Sequence, residues 1–273
     1  MNLEDYSKPD FDSLFEAEEK HFWFRYRNNL IGKTIKGLIG SQKKPRILEL
    51  GCGNGNVLRE IEKRLPDSTL VGSELFEEGL SRAKGRVKCE LRQADIYNLP
   101  EWPAFDLIGL FDVLEHLPDD VAALKEIRKS LRPGGKLLIT VPASMSLWSY
   151  VDVVAGHYRR YTCKTLKNVL LEAGFHVPRN EPVMMPLYPA MWLSRKIGHF
   201  KKNMGFSKKN GDRQLANQEL RISPLMNYLM GFVLNIECGL LNLGLRMPFG
   251  TSILAVGENP IEEKSALNLR NAG

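Results

Sequence analysis

Three glycines, Gly51, Gly53 and Gly55, follow a short apolar run in the segment ILELGCGNGNVL (47–58), with the acid Glu49 just ahead of them. Glycine after a strand lets the backbone turn sharply and approach a ligand, and the helix that follows offers free N–H groups at its start. Such a seat takes a cofactor. A dinucleotide fingerprint requires G-x-G-x-x-G, whereas here the third glycine comes two residues after the second and position 56 is Asn, which counts against a pyrophosphate. A carboxylate beside the loop suits a cationic or amino-bearing ligand instead. Further along, Asp112, Glu115 and His116 are spaced i, i+3, i+4 and are expected on one face of a helical turn. His157 opens a third cluster, GHYRRYT (156–162), with Arg159, Arg160 and Tyr161. Histidine, with an ordinary pKa near 6.5, is suited to removing a proton at neutral pH, and the neighbouring arginines and tyrosine are suited to an anionic or sugar-like acceptor. His157 and Tyr161 are therefore the catalytic candidates, and Arg159 and Arg160 the acceptor-binding ones. The alternative for the arginine pair is salt bridging to acids of the N-terminal helix.

The elements that must position these residues follow from periodicity. A helix is expected over 10–39, capped by Asp10 or Asp12 and stopped by Gly40, with Leu30, Ile31, Thr34, Ile35, Leu38 and Ile39 on its apolar face. Short apolar runs at 47–50, 69–73, 88–93, 105–111 and 136–141 read as strands, separated by helical windows at about 56–65, 77–86 and 119–131. That alternation implies a mainly parallel sheet with helices on both faces, and it places the His157 loop at the carboxyl edge, where ligands sit in such folds. Thr162 caps a helix that Gly174 stops, 175–184 is a sixth strand and 251–257 a seventh. The fold class is thus α/β, a Rossmann-like seven-stranded sheet. Its expected organisation is an N-terminal helical cap (1–40), a core of 41–184 with 251–259, inserted helices at 185–250 and a flexible tail at 260–273.

The ordered motifs resemble those of the class I S-adenosylmethionine-dependent methyltransferases. E-L-G-C-G-N-G is similar to that family's first motif. LVGSEL ends the second strand on Glu74, which by that resemblance accepts both ribose hydroxyls; Asp is commoner there. RQADIYNLP sets Asp95 to receive the adenine amino group, with Ile96 beside the ring. FDLIGLFDVLEHL and LRPGGKLLITVP resemble the fourth strand and the turn into the fifth. The resemblance covers about 46–184 and the last strand, and it implies S-adenosylmethionine as cofactor, with Cys52, Leu75, Phe111 and His116 added to its binding set. HFWFRYR (21–27) and GHYRRYT resemble a subgroup acting on small molecules, often sugars or lipid-linked intermediates of glycan assembly, and related to quinone-ring methyltransferases. It implies that Trp23 and Arg27 close over the cofactor, Arg27 pairing with the methionine carboxylate. In related quinone O-methyltransferases a turn comparable to Asp112, Glu115 and His116 binds a divalent metal; capping and backbone bonding are the preferred reading here, and no metal is expected.

The implied activity is methyl transfer to a small-molecule acceptor, a hydroxyl on a sugar or lipid-linked glycan intermediate. The alternatives are a quinone or aromatic O-methyltransferase with a divalent metal, and a non-catalytic S-adenosylmethionine-binding protein. The net charge of +6 is concentrated: 191–221 holds eight Lys/Arg, among them Arg195, Lys196, Lys201, Lys202, Lys208, Lys209, Arg213 and Arg221, against Asp212 and Glu219. An anionic membrane surface touching 195–213 is the expected macromolecular partner, and no nucleic acid is expected. The insertion, apolar around most of its circumference, is expected as a lid over the acceptor site, a partner surface or a membrane-interface element. No window reaches the roughly 18 uninterrupted apolar residues of a membrane span. The polar, acidic start and four unpaired-looking cysteines point to a cytoplasmic chain, peripheral at a membrane if the basic stretch binds one. Oligomeric state stays open.

Overall fold

The computed structural model describes residues 11–203 and 222–261. Seven strands, β1 (Arg46–Leu50), β2 (Thr69–Glu74), β3 (Glu90–Gln93), β4 (Phe105–Phe111), β5 (Leu131–Pro142), β6 (His176–Val183) and β7 (Ser252–Glu258), form one sheet in the order β3-β2-β1-β4-β5-β7-β6. β7 runs antiparallel to both β5 and β6, and the remaining pairs are parallel. The Rossmann-like, mainly parallel α/β fold is therefore as expected. The helices are α1 (Phe11–Lys20), α2 (Phe22–Ile39), α3 (Asn56–Arg64), α4 (Glu77–Ala83), α5 (Asp120–Lys129), α6 (Tyr150–Ala155), α7 (Cys163–Glu172), α8 (Tyr188–Asn203) and α9 (Pro224–Asn242).

The apolar strand runs supply two cores because successive side chains point to opposite faces. Ile47 and Leu107 enter one core with Ile31, Ile35 and Leu58; Leu48 and Ile108 enter the other with Leu124, Ile127 and Leu166. Both faces are covered, as a parallel sheet requires.

The helix expected over 10–39 is two helices. His21 breaks it: its backbone is extended, and its Nδ1 accepts the Trp23 N–H at 3.2 Å, capping α2. Asp10, and the side chain of Asp12, lie outside the described residues. α2 buries Leu30, Ile31, Thr34, Ile35 and Ile39 as the spacing predicted. Arg86 ties α1 to the rest: it pairs with Glu18, lies 3.6 Å from the Phe15 ring centroid and donates to the Asn54 carbonyl at 3.4 Å.

The insertion supplies α8 and α9. Over Pro224–Leu241, α9 is long and apolar enough to cross a membrane by length and composition. Its Leu234, Cys238 and Leu241 pack into the first core. Glu237 accepts the Met184 N–H (2.6 Å), the Met185 N–H (2.8 Å) and the Tyr26 hydroxyl (2.9 Å). Asn227 accepts the Phe22 N–H (2.7 Å) and donates to the Lys20 carbonyl (2.8 Å).

Candidate active site

The carboxyl ends of the strands converge on one edge, and the backbone is tightest there. Among the described non-glycine residues with positive φ, Asp112 (55°) follows β4, Ser144 (60°) follows β5 and Met184 (60°) follows β6. Strained backbone of this kind collects at ligand sites.

Behind β1 the glycine loop runs through left-handed backbone. Gly51 has φ 72°, and a Cβ there would stand 2.5 Å from Val113 Cγ2. Gly53, at φ 50°, faces open space, so a ligand can lie directly on the chain. Glu49 beneath is 3% exposed and its Oε2 has no partner. Burial pushes that carboxyl well above its ordinary value, only partly opposed by the charge of Arg27. An unpartnered carboxylate oxygen and a side-chain-free loop fit an amino-bearing cofactor such as S-adenosylmethionine.

Glu74 is buried at the end of β2 and already occupied. It accepts the N–H groups of Gly53 (2.9 Å), Leu75 (2.8 Å) and Phe76 (3.1 Å), and burial outweighs them to raise its pKa. A carboxylate offers about four acceptor positions, so a ribose diol would share these oxygens with the loop amides. Asp95, half-buried, accepts the Tyr97 N–H at 3.0 Å, and Ile96 packs against the second core. Cys52 and Phe111 are core side chains at 5% exposure; Cys52 belongs to the loop only through its backbone.

The cap reaches the site through α2. The Arg27 guanidinium carbon lies 5.0 Å from the Trp23 ring centroid, and Nη1 pairs with Asp112 at 2.5 Å. Asp112 is thus the partner of Arg27 in this structure, while Arg27 Nε is left without one.

The expected shared face of Asp112, Glu115 and His116 does not form. Only Leu114–His116 are helical, as a 3₁₀ turn, and Asp112 turns away to Arg27. Glu115 and His116 meet His157 instead, one ligand atom of each lying within 4.8 Å of the others. His116, placed among the cofactor residues from the sequence, thus stands with Glu115 and His157. Its ring meets His157 edge to face at 4.6 Å, and burial with the neighbouring His157 pulls its pKa down to about 4. Glu115 is 1% exposed, its Oε2 unpartnered and its pKa well above the ordinary range, through burial and then the nearby Asp112.

His157 is held by a residue that sequence reasoning missed. Its Nδ1 lies 2.9 Å from Asp152 Oδ1. Asp152 is fully buried in α6 and also accepts Arg160 Nε (2.7 Å), Arg160 Nη2 (3.2 Å) and the Ser149 N–H (2.8 Å). Burial raises its pKa, but the bonds from His157 and Arg160 prevail and bring it down to about 2. The sequence signal was the S-x-x-D of SYVD (149–152), a capping box that the structure contains.

Two expectations are corrected here. Tyr161 is 2% exposed and its hydroxyl donates to Asp120 at 2.7 Å, with burial raising its pKa far above the ordinary value; a core residue cannot reach an acceptor. Arg160 forks onto Asp152 and donates to the Ala143 carbonyl, so it positions the loop rather than binding an acceptor. Arg159, more exposed, pairs with Asp120 at 2.8 Å and donates to the Pro118 carbonyl at 2.6 Å. Neither arginine is paired with the N-terminal helix in these contacts.

Comparison with known proteins gives the family and the fold. The methyltransferase-domain family profile matches residues 19–179. A trans-aconitate 2-methyltransferase of Deinococcus radiodurans is 29% identical over 128 residues, 46% of this chain and 49% of its own length. The ubiquinone biosynthesis O-methyltransferase of Idiomarina loihiensis is 30% identical over 139 residues, 48% of this chain and 55% of its own. The chain thus spans about half the length of the curated relatives it matches. Among solved structures, phosphoethanolamine N-methyltransferase 2 of Haemonchus contortus, bound to S-adenosylmethionine, superposes with TM-score 0.57 at 17% identity, over 86% of this chain and 53% of that one. At that identity the likeness is one of fold.

Proposed function

This chain belongs to the methyltransferase-domain family, and from that premise we propose that it moves the methyl group of S-adenosylmethionine to a hydroxyl of a small-molecule acceptor, a sugar or lipid-linked glycan intermediate, in the cytoplasm. The observation that carries the reading is the buried Asp152 bonded to His157 Nδ1 at the carboxyl edge of the sheet. A hydroxyl must lose a proton as it attacks, and a histidine fixed through Nδ1 offers Nε2 to take it.

S-adenosylmethionine, when bound, supplies an activated methyl on a sulfonium. Everything else falls to this chain. Gly51 and Gly53 give the close approach, Glu49 and Glu74 offer carboxylate oxygens to amino and hydroxyl groups, and Asp95 with Leu75 and Ile96 borders the expected adenine position. Trp23 and Arg27 cover the loop and exclude water. Positioning of this kind supplies most of the rate of an in-line displacement. Arg160 and Ser149 hold Asp152, and Asp152 holds the histidine.

The Glu115, His116 and His157 group favours a second reading, a quinone or aromatic O-methyltransferase using a divalent metal. Two imidazoles and a carboxylate suit such an ion, and the unpartnered Glu115 Oε2 supports it.

The test is transfer of labelled methyl from S-adenosylmethionine to nucleotide-linked sugars, lipid-linked saccharides and hydroxyaryl compounds, with and without chelator. His157→Ala should lower turnover on a hydroxyl by about 10²- to 10⁴-fold with cofactor affinity kept. Transfer to hydroxyaryl compounds alone, abolished by chelator, establishes the second reading. Cofactor binding with no transfer to any class leaves a non-catalytic binder.

A further inference from the structure

Twelve of the seventeen large apolar side chains that the described residues leave exposed lie between 188 and 249, on α8, α9 and the turn after α9. On α9 they form a stripe: Leu225 (78% exposed), Tyr228 (76%), Leu229, Phe232 (56%) and Ile236 follow each other at three- and four-residue spacing. The opposite stripe, Leu234, Cys238 and Leu241, is buried against the first core. The one charged residue of α9, Glu237, is buried with it, so the outward face carries no charge at all. Only 22% of Pro224–Leu241 is buried, whereas a water-facing helix ordinarily turns polar residues outward.

We propose that this face docks the protein on an anionic lipid bilayer, with α9 lying in the plane of the interface. Charge selects the occupant. Exposed Lys196 stands 5.5 Å from the ring centroid of exposed Trp192 on α8. Residues 191–221, which run from α8 toward α9, account for the whole net charge of +6. A second copy of this chain carries the same net charge and is repelled by it, whereas anionic headgroups attract it. Spanning is disfavoured by the anchors: α9 would have to give up the three bonds of Glu237 and both bonds of Asn227. A helix with one tethered face and one apolar face lies along an interface.

The docked face adjoins the mouth of the site. Asn227 grips the first N–H of α2, five residues before Arg27, and Tyr188, where α8 begins, bonds Ser146 beyond β5 at 2.9 Å. A bilayer on this side would meet the acceptor end of the enzyme. The docking does not depend on which acceptor is methylated.

Flotation of the full chain with vesicles of phosphatidylcholine, with and without phosphatidylglycerol, at low and high salt, tests this. Leu225→Ser/Tyr228→Ser/Phe232→Ser, all at exposed positions, is the comparison variant, with cofactor binding as the check that it folds. Expected are binding to the phosphatidylglycerol vesicles that salt weakens, a blue shift of Trp192 emission absent from a Trp192→Phe control, and roughly tenfold or weaker partitioning by the variant. Absence of binding at low salt overturns the proposal, as does equal binding by the variant, which would mean charge alone. A dimer in light scattering that the triple variant dissolves, without vesicle binding, assigns the face to a second copy and equally overturns it.

Discussion

Replacing Asp152 by Asn keeps the shape of the group that holds His157 and removes its charge. The carboxyl is drawn from an ordinary 3.8 down to about 2. At about 1.36 kcal/mol per unit, ionised Asp152 contributes about 2–3 kcal/mol to stability at neutral pH. The sign follows from the direction: a carboxyl with a depressed folded value stabilises above its unfolded value, and that stability drains as pH falls from about 4 toward 2. Urea unfolding should therefore show Asp152→Asn less stable than the parent by about 2–3 kcal/mol at pH 7, and the gap should begin to close below pH 4. Turnover should fall about 10²- to 10⁴-fold, because the amide can present its N–H rather than an acceptor to Nδ1 and so mis-set the imidazole tautomer. Calorimetry should find S-adenosylmethionine binding unchanged, since the bonds of Asp152 run to His157, Arg160 and Ser149 rather than to the glycine loop. A stability gap of the same size at pH 7 and pH 3 would refute the electrostatic account. A variant with full turnover would refute the positioning role.

Glu74→Ala should weaken S-adenosylmethionine binding by about 1.5–3 kcal/mol in calorimetry, and lower the melting temperature because three loop amides lose their acceptor; unchanged affinity would remove Glu74 from the site. Glu237→Ala leaves the Met184 and Met185 N–H groups and the Tyr26 hydroxyl without their acceptor, so urea unfolding should show a loss of about 2–4 kcal/mol. Glu115, whose pKa is raised, contributes stability below about pH 4.5 that drains as pH rises; the melting temperature of Glu115→Gln should gain on the parent toward alkaline pH, and parallel curves would exclude a buried titrating carboxyl. Tyr161→Phe should cost about 1 kcal/mol in unfolding through loss of the bond to Asp120, with turnover within about twofold of the parent.

The glycine loop and the sheet were legible in the sequence because their signals are local. Glycines that must take positive φ, and strands whose alternate residues enter two cores, are written in consecutive positions. The His157 cluster was only half legible. His157 and its loop stood out by residue type, but the partners of that loop come from α6 and from the turn after β4, and pairing across the fold has no spacing to read. A buried carboxylate such as Asp152 shows only a capping pattern, and Tyr161 looks reactive in a string while its ring fills a core. The break at His21 was hidden because apolar residues continue on both sides, and histidine is a weak signal for a cap. The strength of the α9 anchors was hidden too: Glu237 reads as an interruption of an apolar run, yet its carboxylate secures the helix to the sheet.

The strand order has a consequence for how this chain is made. β7, the last of the described strands in chain order, lies between β5 and β6, and in the described sheet β6 pairs with β7 alone. As the ribosome delivers the chain, β6 and the apolar α9 emerge before the strand that joins them to the sheet, so β5 presents an open edge until residue 258 is out. Nascent chains stalled short of that point should be chaperone clients, and those extended past it should release themselves.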